Sequence, residues 1–245
     1  MAKKKAKRVQ KKAEVKPKAV TEEEEIESIL DVNITAINRQ TLTVTIKGLS
    51  RLVVNRLSNK TLGDIADGNS GKPQGVRGPT DPLQEYVDGM YWSNPENCPV
   101  KQPNESDEVW EKRVDAAVGK ETFLFKTRAF RKALGETCAS KDIRGVSKKF
   151  IISVVQCHDE FVPIKSDPPK MRRDITRNPK TNGAMVRYRG EFENWEIDLP
   201  LVYDADAIRI DQIVSLLNTA GFRMGVGENR NEKYGSWGSF AVKVG

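Results

Sequence analysis

The last third of the chain constrains the fold most. Trp195, Ile197, Leu199, Leu201 and Tyr203 alternate with Glu196 and Asp198, the period of a strand with one buried face, about nine residues long. Ile210, Ile213, Val214, Leu217 and Ala220 follow at helical spacing, with Gly221 as the expected stop. Ser239 to Val244 reads as a short closing strand. Upstream, Leu42, Val44 and Ile46 alternate with threonines and end at Gly48, a half-buried strand. Phe130, Ala133, Leu134 and Cys138 repeat at i, i+3, i+4 and i+8, which predicts a helix over about 127–139 with Arg128, Arg131 and Lys132 on another face. Phe150 to Val155 (FIISVV) is β-rich and apolar, so a buried strand is expected there.

In order, these are β (41–46), α (127–139), β (150–156), β (195–203), α (210–220) and β (239–244). That is the βαββαβ order of a ferredoxin-like α+β fold, which RNA-recognition motifs also use. The expected organisation is a disordered tail, basic and then acidic, over 1–32, followed by one ferredoxin-like domain over 33–245. Long insertions fall at about 49–125 and 157–194. The first carries a glycine- and proline-rich loop before Pro79 and a short helix, Asp107 to Val118, capped by Ser106.

Composition narrows the chemistry. A single histidine, His158, excludes multi-histidine metal sites. Cys98, Cys138 and Cys157 form no CxxC and are odd in number, so neither a disulfide framework nor a structural zinc is expected, and a reducing cytoplasm fits. No run approaches the ~18 apolar residues of a membrane helix. The N-terminus is a lysine run with no apolar segment behind it, so no signal peptide is expected. No cofactor is called for.

The net charge of +7 is unevenly placed. Residues 1–20 carry nine Lys/Arg against Glu14 alone, whereas 21–32 hold six acids and no base. Most of what remains lies in 163–190, with eight bases (Lys165, Lys170, Arg172, Arg173, Arg177, Lys180, Arg187, Arg189) against two acids. The tail has few apolar residues and no period; it is either a solubilising segment or a non-specific clamp on a polyanion. The basic segment is either a solvated loop or a phosphate-binding one, in which each guanidinium fork takes two oxygens and Tyr188 offers a ring for stacking.

Gly225-Val226-Gly227-Glu228-Asn229-Arg230 fails as a dinucleotide loop, because it follows a helix and its sixth position is not glycine. Its extension to Phe240 carries Gly225, Gly227, Gly235 and Gly238 with Arg230, Lys233, Tyr234 and Trp237. One reading is a turn with Trp237 in the core. The other is a loop that lets a phosphodiester chain approach, with Arg230 and Lys233 supplying charge and Trp237 or Tyr234 a stacking ring. His158, beside Asp159, is a candidate general acid or base, but no nucleophile is framed around it.

Several segments resemble a family of tailed-phage proteins of unknown role. They are GLSRLVVNRLSNK (48–60), DPLQEYVDGMYW (81–92), PPKMRRDITR (168–177), VRYRGEFENWEIDL (186–199) and QIVSLLNTAGFRMGVGENRNEKYGSWGSF (212–240). Arg51 replaces the family's usual proline, Asn55 its usual histidine, and Asn229 and Asn231 its usual Trp and Pro. More distantly, an apolar strand followed by Gly-x-x-x-Leu and a glycine-rich loop before the last strand are similar to the RAMP superfamily, the RNA-recognition-motif-like proteins that include backbone subunits of CRISPR effector complexes. The resemblance implies a protein of the host cytoplasm whose 49–125 insertion reaches a neighbouring subunit and whose arginines line a strand. The expected function is non-enzymatic binding of single-stranded RNA or DNA, with self-association into a homo-oligomer. Contacts are expected from Arg128, Arg131, Lys132, Lys170, Arg172, Arg173, Arg177, Arg187, Tyr188, Arg189, Gly225, Gly227, Arg230, Lys233 and Trp237. The rival expectations are an interaction protein that caps or inhibits a host or phage nucleoprotein complex, and a metal-independent endoribonuclease using His158.

Overall fold

A computed structural model describes residues 36–57, 62–63, 65–66, 81–139, 145–177 and 183–243. The expected tail, most of the glycine-rich loop before Pro79, and Lys180 lie outside the described residues. From Asn38 onward the chain forms one compact unit. Its class is α+β, built on antiparallel sheets.

Among the described residues, ten strands and the helices between them follow in chain order. The run opens with β1 (Arg39–Gly48), β2 (Leu52–Val54), α1 (Pro82–Asp88), β3 (Tyr91–Trp92), α2 (Asp107–Val118) and β4 (Phe123–Lys126). Next come α3 (Arg128–Ala139), α4 (Lys148–Val154), β5 (Val155–Cys157), β6 (Phe161–Pro163), β7 (Lys170–Arg177) and β8 (Ala184–Phe192). The last are β9 (Glu196–Asp204), α5 (Ile210–Arg223) and β10 (Phe240–Val242).

The main sheet has the order β10-β1-β9-β5, every neighbour antiparallel. Within this sheet that order is last, first, third, second, with α3 and α4 crossing from β1 toward β5 and α5 from β9 to β10. The register pairs Val44 with Leu199 and Ile46 with Ile197, so alternate residues of both strands share one buried face. Against that face lie Phe130 and Leu134 of α3 and Ile213, Leu217 and Ala220 of α5, in one continuous apolar core. Trp195, fully buried, donates its indole N–H to the Ser50 carbonyl at 2.7 Å and occupies the space a side chain at Gly48 would need.

Two local expectations change. FIISVV is mostly helix: Ser147 caps α4 by accepting from the Phe150 N–H at 3.1 Å, and only Val155 onward is strand. Ile152 of this helix packs on Gly135 of α3, which gives the run a helical neighbour instead of a sheet. Gly221 lies inside α5, where its missing Cβ admits the Phe240 carbonyl of β10. The helix stops two residues after Gly221, and Gly225 supplies the left-handed turn with φ 67°.

Two smaller sheets complete the unit, β2-β8-β7 and β3-β4-β6. The basic segment expected as a loop is therefore largely a ribbon, with β7 and β8 in register from Lys170↔Glu191 to Arg177↔Ala184.

Candidate nucleic-acid interface

The ribbon's register sorts the basic residues onto two faces. Lys170, Arg172, Asp174, Arg187, Arg189 and Glu191 share one face, because each is cross-strand partner or i±2 neighbour of the next. Here the cations are already paired. Arg172 donates to Glu191 at 2.6 Å and to Asp174 at 2.9 Å, and Glu191 also accepts from Arg51 at 3.0 Å. Arg189 approaches Asp174 at 3.6 Å, Arg187 donates to Glu85 of α1 at 3.1 Å, and Lys170 reaches Glu193 at 2.6 Å. Arg189 and Glu191 are buried. Such charges persist inside a fold only when partnered.

The opposite face carries Met171, Arg173, Ile175 and Arg177 against Tyr188, Val186 and Ala184. Among the described residues Arg173 and Arg177 make no ion pair, and Ile175 is 74% exposed. Tyr188 is half-buried and packs against the core at the ribbon's base.

The glycine-rich loop is held from within. Gly227 has φ 80°, and a Cβ there would lie 2.6 Å from the Val53 carbonyl; Gly225 is buried at φ 67°. The N–H groups of Val226, Glu228 and Gly238 donate to Gly238, Val53 and Arg51 carbonyls at 2.9, 2.9 and 2.8 Å. Most of the expected exposed donors therefore serve the loop itself. Arg230 grips Glu232 through Nε at 2.8 Å and reaches the Gly227 carbonyl at 3.0 Å. Burial opposes ionisation of Glu232, but the Arg230 hydrogen bond and the nearby Arg230, Lys132 and Lys233 charges hold its carboxyl below the usual range. Trp237, half-buried, lies under the Arg172 guanidinium at 3.8 Å to the ring centroid. Loop and ribbon thus meet, with one of the expected stacking rings already covered.

Two other aromatics are free. Tyr234 follows a short 3₁₀ turn (Asn231–Lys233), sits in the left-handed region at φ 61°, and is fully exposed. Phe222, in the last turn of α5, is 75% exposed. Asn231 joins them by donating to the Phe222 carbonyl at 2.6 Å. Lys233, next to Tyr234 in sequence, is exposed, and Arg223 is next to Phe222 in sequence. Sequence reasoning missed Phe222. Its signal was its place off the Ile213–Leu217–Ala220 stripe, an aromatic with no core to enter.

On α3, Arg131 donates to the Ile152 carbonyl at 2.7 Å and so ties α3 to α4. Arg128 and Lys132, one turn apart, are exposed and make no ion pair among the described residues. Lys132 also rims a cleft of about 220 Å³ with Asn55, Tyr91, Lys126, Ala129, Gly225, Gly227, Glu228, Arg230 and Glu232, floored by Val54, Phe125, Ala133 and Val226. Four of the expected contact residues, Lys132, Gly225, Gly227 and Arg230, converge there. Asn55 donates to Glu228 at 3.3 Å.

The open face of the main sheet is not the aromatic platform of an RNA-recognition motif. It presents Thr41, Thr43, Thr45, Lys47, Glu196, Asp198, Pro200 and Val202, with Lys165 paired to Asp198 and Lys243 to Glu196 at 3.2 Å. Among the described residues that face has no aromatic ring. His158 is exposed beyond β5, and among the described residues no hydrogen bond or ion pair reaches its ring. Cys98, Cys138 and Cys157 are free thiols, and burial pushes all three up, Cys98 to about 11. Among the described residues no group of three or more His, Cys, Asp or Glu side chains is placed to hold a metal ion. Nor is any described helix long and apolar enough to cross a membrane.

No protein-family model and no curated protein matches the chain. Among solved structures, it is similar to Cmr6 from Pyrococcus furiosus, at 11% identity over 85% of this chain and 100% of that one, with a TM-score of 0.34.

Proposed function

We propose that this chain is a non-enzymatic, phage-encoded protein of the host cytoplasm that binds single-stranded RNA or DNA and self-associates along it. The observation that carries the reading is that Phe222 at the end of α5 and Tyr234 beside Lys233 are all exposed, in segments that Asn231 ties together. Exposed rings stack on bases of any sequence, and each such contact is worth about 1–3 kcal/mol. Arg128 and Lys132 on α3, and Arg173 and Arg177 on the ribbon, are the cations left to meet phosphates. Lys170, Arg172, Arg187, Arg189, Arg131 and Arg230 brace the fold and deliver these elements.

Fluorescence anisotropy of labelled U12 and dT12 across a salt series tests this. Phe222→Ser with Tyr234→Ser lowers affinity at least tenfold while the salt slope holds, because rings carry no counterions. Arg173→Ala with Arg177→Ala reduces the slope by about 2. Unchanged affinity in the aromatic double variant overturns the assignment.

A second reading rests on the ribbon. Met171, Ile175 and Val186 form an uncovered apolar stripe beside two unpaired arginines, which favours a protein partner within a nucleoprotein complex. Under that reading, serine at Met171 and Ile175 abolishes partner binding and leaves oligonucleotide affinity unchanged.

A further inference from the structure

Several features of the molecule were candidates for a second role. The ribbon stripe lacks anything that identifies its occupant, and the groove of about 340 Å³ lined by Arg56, Met90, Trp92, Ser93, Cys98 and Phe161 has nothing that identifies its ligand. The cleft under the glycine-rich loop has both shape and chemistry.

We infer that this cleft is a slot for one unstacked nucleobase, with guanine preferred. The inference rests on the single-strand reading and gives it a base preference at one position. Size comes first. At about 220 Å³ the cleft is smaller than the ~300 Å³ at which drug-sized sites begin, so it takes one base and not a run of them. Its floor is apolar and closed, since Val54, Phe125, Ala133 and Val226 are all buried. A flat aromatic ring can displace water from such a floor without stranding a polar group of the protein.

The wall supplies the reading group. Glu228 is half-buried, and its one side-chain hydrogen bond among the described residues is from Asn55 at the long distance of 3.3 Å. A carboxylate accepts several hydrogen bonds, so Glu228 keeps capacity toward the cleft. Arg230 spends Nε and Nη2 on Glu232 and Nη1 on the Gly227 carbonyl, and Lys126 lies over the Tyr91 and Phe161 rings. The remaining need is therefore for an N–H donor edge. Guanine offers N1–H and N2–H side by side, a bidentate match to one carboxylate; adenine and cytosine offer one amino group, and uracil a single imide N–H. Lys132, exposed at the rim, is placed for the phosphate of the same nucleotide. The glycines acquire a second purpose here: with Gly227 pressed on Val53 and Gly225 turned left-handed, the loop is held against the cleft as one of its walls.

Calorimetric titration of 5′-GMP and 5′-UMP into the full chain decides the matter. GMP binds at least tenfold more tightly than UMP. Glu228→Gln, which keeps the shape, brings GMP down to the UMP level, and Lys132→Ala weakens both alike. Ala129→Leu, which fills the slot without touching Glu228, abolishes GMP binding, so a folding defect in one variant does not decide the outcome. Equal affinities for GMP and UMP, or selection that survives both Glu228→Gln and Ala129→Leu, overturns the inference. U12 anisotropy run in parallel separates the two ideas. Binding of U12 without GMP selection leaves the aromatic surface standing and removes the slot; GMP selection without U12 binding does the reverse.

Discussion

Arg172 is where the basic segment's two meanings part. By composition it belongs with Arg173 as a phosphate contact, and alanine at either would weaken nucleic-acid binding. The structure assigns them opposite fates. Arg172 donates to Glu191 and Asp174, whose side chains are 7% and 11% exposed, and stacks on Trp237. Arg172→Ala leaves Glu191 with Arg51 alone and Asp174 facing only Arg189, at 3.6 Å. Breaking a buried pair costs about 3–5 kcal/mol, and a cation–π contact adds about 0.5–2 kcal/mol. The Arg172 side chain is 24% exposed and Glu191 keeps a partner, so the low end applies, about 3 kcal/mol. With a urea slope near 3 kcal/mol per molar for a chain of this size, the unfolding midpoint falls by about 1 M. Arg173→Ala shifts it by less than about 0.2 M, because no partner is lost. Oligonucleotide affinity follows the opposite order: Arg173→Ala lowers the salt slope by about 1, whereas folded Arg172→Ala leaves it unchanged. A stable Arg172→Ala protein with a reduced salt slope would refute the assignment of Arg172 to the fold.

Three further outcomes are expected. Asp198 has its pKa lowered, first by the Lys165 hydrogen bond and then by Thr45, so its stabilising contribution is present above the unfolded value near 3.9 and is lost as pH falls through the lower folded value. Lys165→Met makes the loss of thermal stability below pH 4 shallower, and an unchanged acid limb counts against the pair. Gly221→Ala forces its methyl into the Phe240 carbonyl and displaces β10, at a cost of about 2–3 kcal/mol and a melting point lower by about 5–10 °C in calorimetry. Met171→Ser with Ile175→Ser leaves the melting point within about 2 °C, since both side chains are exposed, and reduces any concentration-dependent sedimentation that the ribbon's stripe causes.

What the sequence revealed depended on whether burial was local or distant. β1, β9, α3 and α5 each bury one face, so their periods of 2 or 3.6 are written in their own residues. FIISVV has no period to read, and a short apolar run fits either a strand or a helix. The deciding residue was Ser147, a capping serine just outside the run. Charge was misleading for a different reason. The window 163–190 carries eight bases, but Glu191 and Glu193 lie just beyond it, and Glu85 lies 102 residues from Arg187. Pairing across such separations leaves no mark on a local count. Exposure at Phe222 was legible from helical spacing, but at Tyr234 it depends on a left-handed turn that spacing does not encode.

The paired arginines and the exposed rings belong to one device. The Gly48–Asn55 segment and the Gly225–Gly238 loop interlock: Gly238 donates to the Arg51 carbonyl, Leu49 to Ser239 at 2.8 Å, and Asn55 to Glu228. Arg51 then holds Glu191, Glu191 holds Arg172, and Arg172 lies on Trp237 of the same loop. The charges run in a closed circuit from the first segment through the ribbon and back to the loop. A 14-residue loop with several glycines would otherwise sample many shapes, at about 1–2 kcal/mol of backbone entropy per residue fixed. Fixing it keeps Tyr234 outside and Glu228 facing the cleft. The buried ion pairs are best understood as specifying this one loop geometry, since paired charges seldom stabilise a fold more than apolar residues would. On that account, Arg51→Met with Glu191→Leu and Arg172→Met, which strands only Asp174, costs less stability than Arg172→Ala alone but blunts GMP selection, because the slot loses its fixed wall.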